Sequence, residues 1–364
     1  MRKLASIRKI TELRPIPGAD RIEVAQVDGW QCVVRRGEFQ EGEHIVYVEI
    51  DSIVPERPEF EFLRDRGFRV RTIRLRGQVS EGLVLPMSVL DDGIMYELGD
   101  DVTDVLGIKK YDPEARQEGE LLKTAKKKRK SAVTRFLLRF GWYRRFFGED
   151  KRSGKSGFPD WITKTDETRI QNLPSLFENE RDAGTEFSVT EKMDGQSATY
   201  YLRRKRGVKK YEFGVCSRNI RLAKPDDSSY WTVAEQYDIE NVLRGLVGKN
   251  DFVVMQGEIC GRGIQKNKYG IDGYRLFVFN LIFPDGKCTT EEIAKYLSPY
   301  GVQTVPIVEE GKTLPGTIAE MVEYSRGESL FRRGAPREGV VVRNTEKNIS
   351  FKVINPDYLL AEGD

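Results

Sequence analysis

The chain has 364 residues and a mass of 41.8 kDa, enough for roughly two or three domains, and its 39% hydrophobic and 32% charged residues argue against wholesale disorder. No run approaches the roughly 18 uncharged apolar residues that span a bilayer, no secretory signal opens the chain, and Cys32, Cys216, Cys260 and Cys288 form no CxxC, so a disulfide framework or zinc cluster is not expected and a reducing, intracellular compartment, cytoplasmic by default, fits. One histidine, His44, argues against a Ser-His-Asp triad or a two-histidine metal site, which leaves Lys, Arg, Asp and Glu to carry any catalysis.

The net charge of +3 hides a block. Between Leu121 and Lys155 stand 13 basic and two acidic residues, leaving 47 basic and 55 acidic residues in the remainder. Three readings of this basic, aromatic-rich segment stay open: a nucleic-acid contact, an anionic-membrane or localisation signal, and a solvated helix docked by its apolar face.

Ahead of the block, runs at Ile22–Val27, Gly29–Gly37, Glu43–Asp51, Phe68–Gly77 and Gly82–Pro86 predict short strands between glycine and acidic turns. Their spacing points to a small barrel of the oligonucleotide-binding (OB) kind, with Arg71, Arg74 and Arg76 giving one strand a basic surface. Beyond the block, Asp166–Asn172 predicts a short capped helix. Strands are predicted at Thr185–Gly195, Ser197–Arg204, Tyr211–Asn219, Asp251–Gly261 and Tyr274–Phe283, and helices at Thr232–Gly248 and Thr289–Gly301. The end of the chain pairs REGVVVRN with ISFKVIN across the turn NTEKN, and no internal repeat is visible. The fold class expected is α+β: an OB-like domain at 1–111, a basic insert at 112–157 and a second domain of antiparallel sheets with flanking helices at 158–364.

The stretch EKMDG, Glu191 to Gly195, carries the chemistry. Alone, KxDG is an ordinary charged turn. Four later segments change that by their order: VMQGEICG sets Glu258 between glycines near a strand end, RLFVFNL puts Phe277 and Phe279 on one strand face, REGVVVR sets Glu338 at a strand start, and SFKVIN carries Lys352. A lysine nucleophile, carboxylates, an aromatic platform and a late lysine form a coherent set for nucleotide chemistry.

These segments, in this order, resemble the covalent nucleotidyltransferase superfamily of ATP-dependent polynucleotide ligases and mRNA-capping enzymes. EKMDGQSATYY is most similar to the RNA ligases, SIRKI, PGADRIEVAQVDGW and GEHIVYVEIDSIVP resemble the amino-terminal OB domain of the Naegleria-type RNA ligases, and KTDETRIQN, ahead of the lysine, is similar to the same family. The resemblance covers nearly the whole chain except the basic insert. It implies an ATP-dependent RNA ligase in which Lys192 becomes lysyl-AMP, Asp194, Glu258 and Glu338 surround a hydrated Mg²⁺ or Mn²⁺, and Lys352 contacts the α-phosphate. It further implies that Glu191 and Glu258 help hold the nucleotide, that Phe279 or, in competition, Phe277 stacks on adenine, that Arg218 meets ribose or the acceptor end, and that Arg169 meets the triphosphate. The implied partner is RNA with a 5′-phosphate and a 3′-hydroxyl, at a nick, a single-strand end or an RNA/DNA hybrid; separately, the lack of coiled-coil heptads makes a monomer the default expectation. Two departures stand out: Ile354 replaces the second lysine common in the last motif, and Asn280 replaces a frequent acid. A capping-type guanylyltransferase or a DNA ligase is the rival within the enzyme class, disfavoured by an OB domain that comes first. The rival outside it is a nucleic-acid-binding protein of the same fold without catalysis.

Overall fold

In the computed structural model, residues 3–90, 93–111, 157–205, 210–223 and 228–363 are described. The basic segment from Leu121 to Lys155, with the three readings it left open, lies outside them. The amino-terminal sheet is built from β1 (Ala5–Pro15), β2 (Ile22–Val27), β3 (Trp30–Arg35), β4 (His44–Val48) and, after the hairpin of β5 (Thr72–Leu75) and β6 (Gln78–Glu81), β7 (Leu83–Pro86). Its order is β3-β2-β1-β4-β7. β1 serves two neighbours: Ala5–Lys9 pair with β4, and past an irregularity at Ile10 to Glu12 the strand pairs with β2. Such a bulge bends a strand and turns the corner of a half-barrel. β1 was absent from the strands predicted by periodicity because Arg8, Lys9, Glu12 and Arg14 interrupt its apolar alternation.

The predicted single strand Phe68–Gly77 is instead two. Arg69–Val70 pairs with Ser52–Ile53, whereas Thr72–Leu75 pairs with β6. The arginines therefore do not share one strand surface: Arg71 lies between the two pieces and lines an internal cavity, and Arg74 is tied to Asp357.

The second domain continues with α1 (Pro174–Asp182), β8 (Phe187–Glu191), β9 (Gln196–Arg204), β10 (Tyr211–Cys216), α2 (Ser229–Gln236), α3 (Ile239–Val247), β11 (Phe252–Gly261), β12 (Tyr274–Phe283), α4 (Thr290–Leu297), β13 (Ile307–Lys312), α5 (Ile318–Tyr324), β14 (Gly339–Asn344), β15 (Ile349–Ile354) and α6 (Pro356–Gly363). One sheet runs Thr168–Arg169, β15, β14, β8, β13; the other runs Arg221–Leu222, β10, β9, β11, β12, Gly286–Lys287. The larger core sits under the second sheet, where Ile239, Val242, Leu243 and Val247 pack on Tyr200, Leu202, Val253 and Met255.

Two helix expectations are corrected. Thr232–Gly248 is not one helix: α2 and α3 are separated at Asp238, whose φ of 47° is left-handed and incompatible with a continuous helix. Asp166–Asn172 is not a capped helix: Thr168–Arg169 runs extended, parallel to β15, and only Ile170–Asn172 makes a 3-10 turn without a side-chain cap. The polar residues that suggested capping work elsewhere. Asn172 donates from Nδ2 to Glu49 Oε1 (2.7 Å) and accepts from Trp30 Nε1 (2.8 Å), joining the two domains.

Gly29 sits at this junction, where a Cβ would lie 2.8 Å from Gln171 Cα. Only the missing side chain lets the β2–β3 turn approach that backbone. Gly29→Ala is expected to cost about 1–3 kcal/mol, as overpacking of a tight contact does. Urea unfolding of the two proteins checks this, a matching midpoint being the contrary result.

Among the described residues no helix is long and apolar enough to cross a membrane, and all four cysteines are free.

Candidate active site

Strand register creates the central pair. β8 and β14 run antiparallel with Glu191 opposite Val340, and one residue further on the Lys192 N–H donates to the Gly339 carbonyl (3.0 Å). Lys192 at the end of β8 and Glu338 just before β14 thus come from opposite chain directions to the same edge. Lys192 Nζ donates to both Glu338 carboxylate oxygens at 2.7 Å. The glycine of EKMDG has a steric reason: a Cβ on Gly195 would press into the Ile259 carbonyl oxygen of β11. That close approach brings Asp194 and the end of β11, with Glu258, to one cavity.

The cavity has a volume of about 430 Å³. Lys192, Asp194, Glu258, Glu338, Lys352, Arg218, Arg169 and Phe279 all line it, together with Glu191 and Ile354. Its other wall is the OB domain, through Asp51, Arg69, Arg71, Lys110 and Tyr111. Lys192 keeps 27% of its side-chain surface exposed. Burial pulls its ammonium toward neutrality, but Glu338, then Glu258 and Asp194, outweigh that and hold its pKa above the ordinary lysine value. The amine of the ligand-free protein is therefore charged, whereas a nucleophile must be neutral.

The two phenylalanines part company. Gln256 and Gly257 of β11 pair with Asn280 and Val278 of β12, so Phe279 is the extra residue of a bulge and the expected shared strand face is interrupted. Phe277 is 1% exposed, in a cluster with Met193, Cys260 and Tyr269 beneath the cavity. Phe279 is half-buried and borders the cavity, with the Arg343 guanidinium 5.6 Å from its ring centre. A bulge beside a site re-aims a side chain in this way.

Glu191 is buried, and its Oε2 accepts the Leu330 N–H (2.8 Å), so its carboxylate anchors the loop before β14. Arg169 is 5% exposed; its Nη2 lies 3.5 Å from Asp51, while Nε and Nη1 are buried without a hydrogen-bond partner. Donors left over on a buried cation at a cavity wall suit an anionic ligand. Asn280, which replaces an acid, donates to Gln256 Oε1 (2.9 Å) and stays buried.

Sequence reasoning missed Asp166. It faces Arg218 (3.1 Å), Lys352 (3.3 Å) and Lys110 of the OB domain (3.4 Å). Burial would raise its pKa, but Lys352, Arg218 and Lys110 together hold it well below the usual carboxylate range. Arg343, half-buried and paired with Glu167 at 3.5 Å, was missed too. Asp166 lies within KTDETRIQN and Arg343 within VVVRN, segments already singled out, but nothing in either run marked these two residues as facing the site.

Among the described residues no three His, Cys, Asp or Glu side chains are grouped to hold a metal ion directly. Asp194, Glu258 and Glu338 line the same cavity as hard oxygen donors, a set that fits a divalent ion held through its waters.

A family described as an OB-fold domain matches residues 4–87, and one described as RNA ligase matches residues 185–354. Comparison with curated proteins gives no match. Among solved structures, Naegleria gruberi RNA ligase in a lysine-to-alanine variant with ATP and Mn is 32% identical, with a TM-score of 0.79 over 100% of both chains. The same ligase in a glutamate-to-alanine variant with AMP and Mn aligns at 32% identity and a TM-score of 0.78, again over 100% of both chains. With PPi it aligns at 32% identity and a TM-score of 0.78 over 99% of this chain and 98% of that one. Full-length similarity at this identity, with the OB-fold domain placed first, shows that the chain belongs to the RNA ligase family of covalent nucleotidyltransferases.

Proposed function

We propose that the chain is an ATP-dependent ligase that joins a 5′-phosphate to a 3′-hydroxyl of RNA, with Lys192 as the nucleophile. The observation that carries this is Lys192 held against Glu338 inside one cavity that also gathers Asp194, Glu258, Lys352 and Phe279. Lys192 Nζ, once deprotonated, attacks the α-phosphorus of ATP; the α–β anhydride bond breaks, pyrophosphate leaves, and AMP remains on nitrogen. The RNA 5′-phosphate then takes the AMP from Lys192, and the 3′-hydroxyl displaces AMP to form the phosphodiester. Adenylation is required because a free 5′-phosphate has no good leaving group.

Phe279 stacks on adenine in this reading, Lys352 neutralises the α-phosphate, Arg218 serves ribose or the acceptor end, and Arg169 serves the triphosphate. Asp194, Glu258 and Glu338 hold Mg²⁺ or Mn²⁺ through water. When bound, that ion would offset negative charge building on the α-phosphate. Residues 1–111, 112–157 and 158–364 are the OB-like domain, the basic insert and the nucleotidyltransferase domain of a monomer, working in a reducing compartment, the cytoplasm by default with nucleus or organelle as the other settings.

The test supplies ATP, Mn²⁺ and labelled RNA with a 5′-phosphate, as a nick in an RNA duplex, a nick in an RNA/DNA hybrid and a single strand. The expected result is a longer, phosphatase-resistant product from at least one of them. Sealing of DNA 3′-hydroxyl ends alone, or use of GTP in place of ATP, would contradict the reading.

A further inference from the structure

The carboxyl-terminal helix α6 touches both domains and the site. Its entry residue Asn355 donates from its backbone N–H to the Glu338 carbonyl (2.9 Å) and from Nδ2 to the Arg337 carbonyl (3.0 Å). Asp357 pairs with Arg74 of the OB hairpin at 2.8 Å and with Arg326. Leu359 packs against the OB core and lines the cavity. Between these ties, Tyr358 turns inward: it is 2% exposed, Lys268 Nζ lies 3.3 Å from its ring centre, and its hydroxyl donates to Asp194 Oδ2. Asp194 is fixed from its backbone as well, its N–H donating to the Tyr269 hydroxyl at 2.9 Å.

We propose that Tyr358 is a positioning residue for Asp194, and that α6 makes the orientation of this carboxylate depend on the docked OB domain. The inference rests on the reading that Asp194 meets the water shell of the divalent ion. By engaging Oδ2, the phenol leaves Oδ1 as the oxygen free to accept from that shell, and it fixes the direction in which Oδ1 points. An OB domain that moves away pulls on Asp357 through Arg74 and on Leu359 through the OB core, and so withdraws the phenol from Asp194. A hydrogen bond from behind a metal-facing carboxylate is the kind of outer contact whose loss costs about 10–100-fold in affinity or rate.

Tyr358→Phe tests this, because the ring and its contact with Lys268 are kept while the donor is lost. Single-turnover formation of lysyl-AMP is expected to slow about tenfold at saturating ATP, with the KM for ATP unchanged and the Mn²⁺ midpoint raised about tenfold. Mn²⁺ binding read by EPR in the presence of AMP, which needs no turnover, is expected to weaken by the same factor. Arg74→Ala should shift the Mn²⁺ midpoint in the same direction. In an Asp194→Ala background, Tyr358→Phe should have no further effect, since coupled residues do not add. Wild-type values for both rate and Mn²⁺ midpoint, or a full additional loss in the Asp194→Ala background, would overturn the proposal. A wild-type protein that forms no lysyl-AMP would instead remove the reading of the site on which the proposal stands.

Discussion

Lys192→Ala is expected to form no protein–AMP adduct and to join no RNA ends from ATP and a 5′-phosphate. The loss should exceed about 10³-fold, as removal of a covalent nucleophile does. No neighbour can take its place. Lys352 is set against Asp166 at 3.3 Å, on the OB-facing side of the cavity, and Lys192 alone is placed by strand register against Glu338. The same variant should still join RNA whose 5′ end already carries AMP, because the last step breaks the bond between AMP and the RNA phosphate and never involves the lysine. Sealing assays on 5′-phosphorylated and 5′-adenylylated strands separate these outcomes. Equal failure on both would mean that the substitution had damaged the cavity rather than one step.

The second large effect is expected at Glu338. Its carboxylate is the strongest of the three charges that keep the Lys192 ammonium charged against the pull of burial. Glu338→Gln removes that charge, so the lysine pKa must fall. A reaction that needs the neutral amine rises with pH until the ammonium has lost its proton. The rise should therefore begin at lower pH in the variant than in the wild type. The rate itself should fall at least about a hundredfold, because a carboxylate facing the ion's water shell is also lost. Single-turnover rates across a pH series check both parts. A profile that stays in place or moves to higher pH would show that Glu338 does not govern the protonation of Lys192.

How much of the site could be read from the chain follows from how its parts are brought together. Lys192, Asp194 and Gly195 are consecutive, so EKMDG was visible as a unit. Glu258, Glu338 and Lys352 lie near strand ends flagged by glycines and β-branched runs. Asp166 looked like a helix cap because Asp, Glu and Thr precede a short apolar run; pairing of Thr168–Arg169 with β15 overrode that local preference and turned the carboxylate toward Lys352 and Arg218. Phe277 and Phe279 could not be told apart by alternation, since the bulge that separates them depends on the register of β11. Tyr358 reads as one more apolar aromatic, and its bond to Asp194 spans most of the second domain. The OB wall of the cavity was hidden for the same reason: Arg69, Arg71 and Lys110 look like surface charge until the domains dock.

The most direct test of the central claim is the intact mass of the purified protein after incubation with ATP and Mn²⁺, beside a parallel GTP reaction, following removal of any AMP carried from expression with pyrophosphate. The expected result is a mass increase of one adenylate from ATP, mapped by peptide fragmentation to Lys192 and released by pyrophosphate. A folded protein that gains no adduct, gains one from GTP alone, or carries it on a residue other than Lys192 would contradict the account.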